Sequence, residues 1–157
     1  MHVIKSGPPW LAFATLAAGT LAAVAPPAAA IREPGARAAH AVTGTETGHL
    51  HFIRSSGSRV FEEGPAFGPL PGHIRADLNI GATFSGTVTI YARGGTVKAH
   101  GTATPHGSGR YESFGGTLII MGGSGRYSHA HGHGGFYGTF DRKTYTVVVQ
   151  TTGKYFY

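Results

Sequence analysis

The sequence predicts an all-β protein, a closed antiparallel barrel of about eight strands that follows an N-terminal signal peptide. From Gly44 onward, runs rich in Thr, Val, Ile, Tyr and Phe alternate between apolar and polar positions, as strands with one buried face do. The 26 glycines of the chain divide these runs into short segments. No segment after residue 30 repeats apolar residues at helical spacing, so we expect less than a tenth of the mature chain to be helical.

The first thirty residues have the order of a secretory signal peptide. Lys5 gives a basic start, residues 10–24 form an apolar run too short for an ordinary membrane-spanning helix, and residues 28–30 are alanines. We therefore expect cleavage near Ala30, secretion, and no stable membrane span after cleavage. The alternative is an uncleaved N-terminal anchor. Residues 31–43 show no periodicity and are predicted to be a flexible lead-in to a barrel domain over residues 44–157.

The individual strands are predicted from alternation and from the turn residues that bound them. They cover residues 49–54, 74–80, 83–91, 96–104, 117–121, 127–140, 144–152 and 155–157. Residues 61–72 contain three prolines and are predicted to be a loop, with Glu62 and Glu63 in solvent. Short strands at regular spacing suit a closed barrel, which removes exposed sheet edges; a β-sandwich is the alternative.

Alternation also predicts the interior of the barrel. On the strand over residues 74–80, one face carries Ile74, Ala76, Leu78 and Ile80, and this apolar face is the expected inner one. Small residues such as Ala99 and Gly101 share the inward faces and leave room for a narrow apolar ligand. The residues predicted to contact that ligand are Phe84, Val88, Ile90, Phe136 and Tyr145.

A pentapeptide, Gly-Ser-Gly-Arg-Tyr, occurs at residues 107–111 and again at residues 123–127. Two copies favour a repeated hairpin turn over a solenoid, because glycine adopts the positive φ that such turns require. The second copy, read from Gly122 and followed by Ala130-His131-Gly132, resembles the Gly-Gly-Thr-Gly-Arg-aromatic turn and Ala-x-Gly strand of the allene oxide cyclase-like and dirigent-like barrel group.

The resemblance implies an eight-stranded barrel with an apolar ligand in its lumen. Plant cyclases of this group isomerise a fatty-acid epoxide, and dirigent proteins direct the coupling of phenoxy radicals. The chain departs from the group at Gly72-His73, where relatives often have Gly-Asp. A shared fold does not fix an activity, so the resemblance bears on the fold more than on the reaction.

Two carboxylates are candidates for general acid–base catalysis. Asp77 shares a strand face with Arg75, and Glu112 has Arg110 two residues before it. The alternative, which we favour, is that these groups form structural ion pairs, since the apolar face opposite Asp77 is the expected interior.

His129, His131 and His133 alternate in the sequence SHAHGHGG. Two imidazoles at this spacing on a strand can reach one divalent ion, but the third lies too far away unless the chain bends. His100, His106 or Asp141 could complete such a site from another strand. We therefore expect an exposed row of histidines rather than a metal site, and no cofactor.

Composition excludes several classes of function. The chain has no cysteine, so thiol catalysis and thiolate metal sites are excluded. Without residues 1–30 it keeps twelve basic and seven acidic residues, and the basic ones are spread singly rather than in the patch that nucleic-acid binding requires. It also lacks a Gly-x-Ser-x-Gly elbow and a P-loop.

The sequence thus predicts an exported barrel that binds a small hydrophobic molecule or serves a structural or surface role. The alternative is a small-molecule isomerase or cyclase of the allene oxide cyclase-like type. The oligomeric state stays open.

Overall fold

A computed structural model describes residues 39–157, which form a closed barrel of eight antiparallel strands. The strands are β1 (Ala41–Ser56), β2 (Arg59–Phe67), β3 (Gly72–Asn79), β4 (Phe84–Ala92), β5 (Gly95–His106), β6 (Tyr111–Gly125), β7 (His131–Asp141) and β8 (Thr146–Phe156). Each strand pairs with the next, and β8 pairs with β1. The predicted all-β barrel is confirmed and the sandwich is wrong.

None of residues 39–157 is helical. Accordingly, this part of the chain has no helix long and apolar enough to cross a membrane. The predicted signal peptide lies outside the described residues.

The largest error of the sequence prediction concerns β2. Residues 61–67 belong to this strand, although their prolines and glutamates predict a loop. Pro65 has no N–H to donate and forms no ladder pair with β1, but it keeps its register partner His73 on β3. An added Cβ at Gly64 would overlap the carbonyl oxygen of His49, so glycine is what lets the two strands approach.

Other strand ends differ from the prediction as well. β1 begins at Ala41, so residues 41–43 of the expected lead-in are strand. β7 begins only at His131, because residues 126–130 form the turn that precedes it. The short strand expected over residues 155–157 is the continuation of β8.

The two ends of the barrel differ. The connections over residues 68–71, 93–94 and 126–130 lie at one end, which we call the Leu70 end after the buried residue in the first of them. The Phe84 end, named after the first residue of β4, carries the other four connections. At the Phe84 end, the rings of Phe114 and Phe140 pack edge-on against Phe84 at centroid distances of 5.9 and 6.1 Å. This aromatic packing closes much of that end.

Candidate functional site

An apolar cavity of about 170 Å³ lies inside the barrel. Every strand except β2 contributes to its wall, together with the loop over residues 68–71. Gly86, Ala99 and Gly101 lie on the inner face, where their small side chains leave the space open. Apolar cavities of roughly 150 Å³ stay dry and bind small apolar molecules. The lumen can therefore hold a hydrocarbon group.

Four of the five predicted ligand contacts lie on the wall of this cavity: Phe84, Val88, Ile90 and Phe136. Tyr145 does not. It lies in the turn between β7 and β8 with a φ of 55°, and it is 40 % exposed. Its ring packs against Phe52 and Phe140 at the Phe84 end. Alternation misplaces this side chain because the turn interrupts the strand just before β8 begins.

The polar residues of the wall are Glu46, Ser85, His133, Thr151, Thr152, Lys154 and Tyr155. Two of them, Glu46 and Tyr155, have buried side-chain oxygens without a partner. Glu46, on β1, is 9 % exposed, and its Oε2 accepts a hydrogen bond from the backbone N–H of Leu70 at 2.9 Å. Its other oxygen, Oε1, is buried without a hydrogen-bond partner, and so is the hydroxyl of Tyr155 on β8. Both residues belong to the wall of the same cavity.

Burial raises the pKa of the Glu46 carboxyl, and the Leu70 N–H offsets this in part. Burial also raises the pKa of the Tyr155 hydroxyl, and the nearby Glu46 carboxylate adds to the effect. Both shifts favour the protonated, uncharged forms. The Tyr155 hydroxyl can donate one hydrogen bond and accept another, and the Glu46 carboxyl oxygen can accept one.

The loop over residues 68–71 is built around Glu46. Gly68 has a φ of 142°, and a Cβ added to it would lie 2.9 Å from Oε2 of Glu46. Pro69 and Leu70 follow and line the cavity. The Glu46 carboxyl thus uses one oxygen to hold the loop across the Leu70 end, and its other oxygen is buried without a partner.

Glu62 is the second buried carboxyl that sequence reasoning missed. The prediction that it is solvated is wrong: its side chain is 1 % exposed on the inner face of β2, opposite Ala76. Neither oxygen has a hydrogen-bond partner, and burial raises its pKa to about 8. Glu62 is outside the cavity wall, since β2 contributes nothing to that wall. Its neighbour Glu63 points outward and lies 3.4 Å from the Arg75 guanidinium.

The predicted acid–base candidates lie away from the cavity wall. Asp77 and Arg75 are on the outer face of β3, where Asp77 pairs with Arg59. Glu112 is buried on the inner face of β6, and its carboxylate lies 2.6 Å from the Arg142 guanidinium. Arg110, expected beside Glu112, instead pairs with Asp141 at 2.9 Å. The structure therefore brings each of these carboxylates to an arginine rather than to the cavity.

The three alternating histidines do not share a strand. His131 and His133 lie on the outer face of β7, whereas His129 lies in the preceding turn. The ring of His131 stacks on Phe156 at a centroid distance of 5.3 Å, and its Nδ1 lies 2.9 Å from the carbonyl oxygen of His129. Within residues 39–157, no three His, Asp or Glu side chains are arranged to hold a metal ion.

Comparison with known proteins gives no match to a family model, to a curated protein or to a solved structure.

A signal for Glu46 is present in the sequence. Glu46, Gly48 and Leu50 follow one another at every second position, which is the spacing of one strand face. Extending the first predicted strand toward the N-terminus places Glu46 on the same inner face as Leu50. An acidic residue at an inward position of a predicted strand is therefore a sequence feature that indicates a buried carboxyl.

Proposed function

We propose that this protein is an exported barrel that binds a small hydrophobic molecule in its lumen and needs no cofactor. The apolar cavity carries this proposal, because its wall combines aliphatic and aromatic side chains from seven strands around a space large enough for a small hydrocarbon. Ligand sites of this kind are concave, mostly apolar and supplied with a few polar groups. The wall has that composition, with Glu46 and Tyr155 among its polar groups.

The size of the cavity sets the expected affinity. Each methylene group transferred from water contributes about 0.8 kcal/mol, so a chain of eight carbons gains roughly 6 kcal/mol before the entropy cost of association. We therefore expect small ligands to bind with dissociation constants in the micromolar range or weaker.

Binding of a neutral fluorescent probe, N-phenyl-1-naphthylamine, tests the proposal. Ala99→Leu replaces a methyl group on the cavity wall by an isobutyl group and should weaken binding at least ten-fold, because the larger side chain occupies the space the ligand needs. Thr102→Leu adds a similar group to the exposed face of the same strand and should leave binding unchanged. We prefer Ala99 to Gly101, where a Cβ would lie 3.0 Å from the Phe136 ring and risk distorting the core.

Two outcomes would contradict the proposal. Absence of probe binding to the wild-type barrel would favour the structural or surface role. An equal affinity of the wild-type, Ala99→Leu and Thr102→Leu proteins would place the probe outside the lumen.

A second candidate function is an isomerase or cyclase of the allene oxide cyclase-like type. The unpartnered Glu46 Oε1 and Tyr155 hydroxyl favour it, because the tyrosine O–H can donate a hydrogen bond to a reacting oxygen and a carboxyl group can exchange a proton with a substrate. Incubation with an unsaturated fatty-acid epoxide, followed by chiral chromatography, is the test. Cyclised product above the uncatalysed level, lost in Glu46→Gln, would support catalysis, and its absence would leave binding alone.

A further inference from the structure

The Leu70 end of the cavity contains an unsatisfied hydrogen-bonding site. Glu46 Oε1 and the Tyr155 hydroxyl are both buried and both unpartnered, and both residues line the cavity. A buried polar group without a partner is destabilising, because it has lost its hydrogen bonds to water and gained none in the protein. A ligand group that contacts both atoms recovers part of this cost, so the pair favours ligands with a polar group at one end.

The charged side chains near Glu46 and Tyr155 bear on which polar group of a ligand this site would bind. The ammonium of Lys154, next in sequence to Tyr155, lies over the Phe156 ring at 5.2 Å, and the Arg126 guanidinium bonds the Tyr157 hydroxyl at 3.3 Å. Within residues 39–157, Glu46 takes part in no salt bridge. His133 and Lys154 also belong to the cavity wall, but in the described part of the chain neither forms a salt bridge with Glu46. Because burial disfavours a charged group of either sign, an uncharged polar group suits this pair best.

We propose that Glu46 and Tyr155 form a subsite for the hydroxyl group of an uncharged aliphatic alcohol, whose hydrocarbon part occupies the apolar cavity. The alcohol O–H donates to Oε1 of Glu46, and its oxygen accepts from the Tyr155 O–H. This inference rests on the proposed function, because it assigns the polar end of the ligand that the lumen binds. The loop over residues 68–71 supports the subsite, since the Leu70 N–H fixes the Glu46 carboxyl from its other side.

Competition against bound N-phenyl-1-naphthylamine tests the alcohol assignment. The competitors share an eight-carbon chain and differ in the terminal group: 1-octanol, octyl methyl ether, octanoate and octylammonium. The ether accepts a hydrogen bond but donates none. We expect 1-octanol to compete about ten-fold better than the ether and better than either ion, which corresponds to roughly 1.4 kcal/mol.

Two variants test whether the preference for 1-octanol over the ether depends on Tyr155 and Glu46. Tyr155→Phe removes one hydroxyl, and Glu46→Gln replaces the carboxyl by an amide of the same shape. In each variant the octanol-to-ether ratio should fall to three-fold or less, with every competition normalised to that variant's own probe affinity. Tyr137→Phe removes an exposed hydroxyl from the outer face of β7 and should leave the ratio unchanged.

The outcomes separate this inference from the proposed function. If the wild-type barrel binds the probe but 1-octanol and the ether compete equally, the lumen is a ligand site and the alcohol subsite is wrong. Octylammonium or octanoate as the best competitor also overturns the assignment. If the barrel binds no probe at all, the proposed function fails and the subsite fails with it.

Discussion

At the scale of single residues, the buried Glu62 has the clearest consequence for stability. Its carboxyl has no hydrogen-bond partner, and its pKa is about 8 in the folded barrel against an ordinary value of 4.5. A carboxyl whose pKa is raised on folding stabilises the fold fully below pH 4.5. That contribution is lost as the pH rises toward 8, because the unfolded chain releases the proton first.

We therefore predict that the free energy of unfolding falls between pH 5 and pH 8, by at most about 1.4 kcal/mol per pH unit from this group. Urea denaturation at several pH values measures this slope. Glu62→Gln should reduce the slope and raise stability at pH 8, although Glu46 adds a dependence of the same sign. Glu63→Gln, on the outer face, serves as the control and should keep the wild-type slope. An unchanged slope in Glu62→Gln would mean that water reaches this carboxyl.

Glu46 and Glu62 also show what sequence reasoning misses at this scale. Ionisable side chains are rarely fully buried, so an isolated acid in a sequence is assigned to the surface. Both residues nevertheless lie on inner strand faces. Alternation correctly placed four residues on the inner face: Phe84, Val88, Ile90 and Phe136. Each of them is apolar and therefore follows the rule that the apolar residues of a strand lie on its buried face.

At the scale of strands, alternation places the central hairpins well. The predicted strands over residues 74–80, 83–91 and 96–104 correspond to β3, β4 and β5 with ends that differ by one or two residues. β2 was missed because proline, glycine and two glutamates are all depleted in strands. Its stability depends on pairing with β1 and β3, which is a tertiary contact that no local pattern reports.

This dependence yields a prediction for Gly64. Gly64→Ala should destabilise the barrel by about 1–3 kcal/mol or more, because the added methyl group overlaps the His49 carbonyl and forces β1 and β2 apart. Gly109→Ala is a suitable control, since nothing lies within 4 Å of a Cβ at that position. Thermal unfolding of the two variants measures the difference. A Gly64→Ala protein as stable as Gly109→Ala would contradict the close approach of the strands.

At the scale of the whole molecule, closure of the sheet explains how this domain is stable without disulfides. Each strand has hydrogen-bonded neighbours on both sides, so the ladder has no free edge. The same closure creates the lumen, and the small residues on β4 and β5 keep it from being filled by side chains. The predicted count of eight strands agrees only because dividing β8 into two strands offset the missed β2. Closure followed from spacing and turn residues. The size of the cavity did not, because it depends on how side chains from different strands meet.

The central claim is that the lumen holds an apolar molecule, and crystals of the barrel pressurised with xenon test it most directly. Xenon occupies apolar cavities of this size, and its anomalous scattering locates it without reference to any assay. We predict an anomalous peak inside the barrel, among Val88, Leu118 and Phe136. A barrel of this fold with no xenon in its lumen, or with xenon only on its outer surface, would contradict the account.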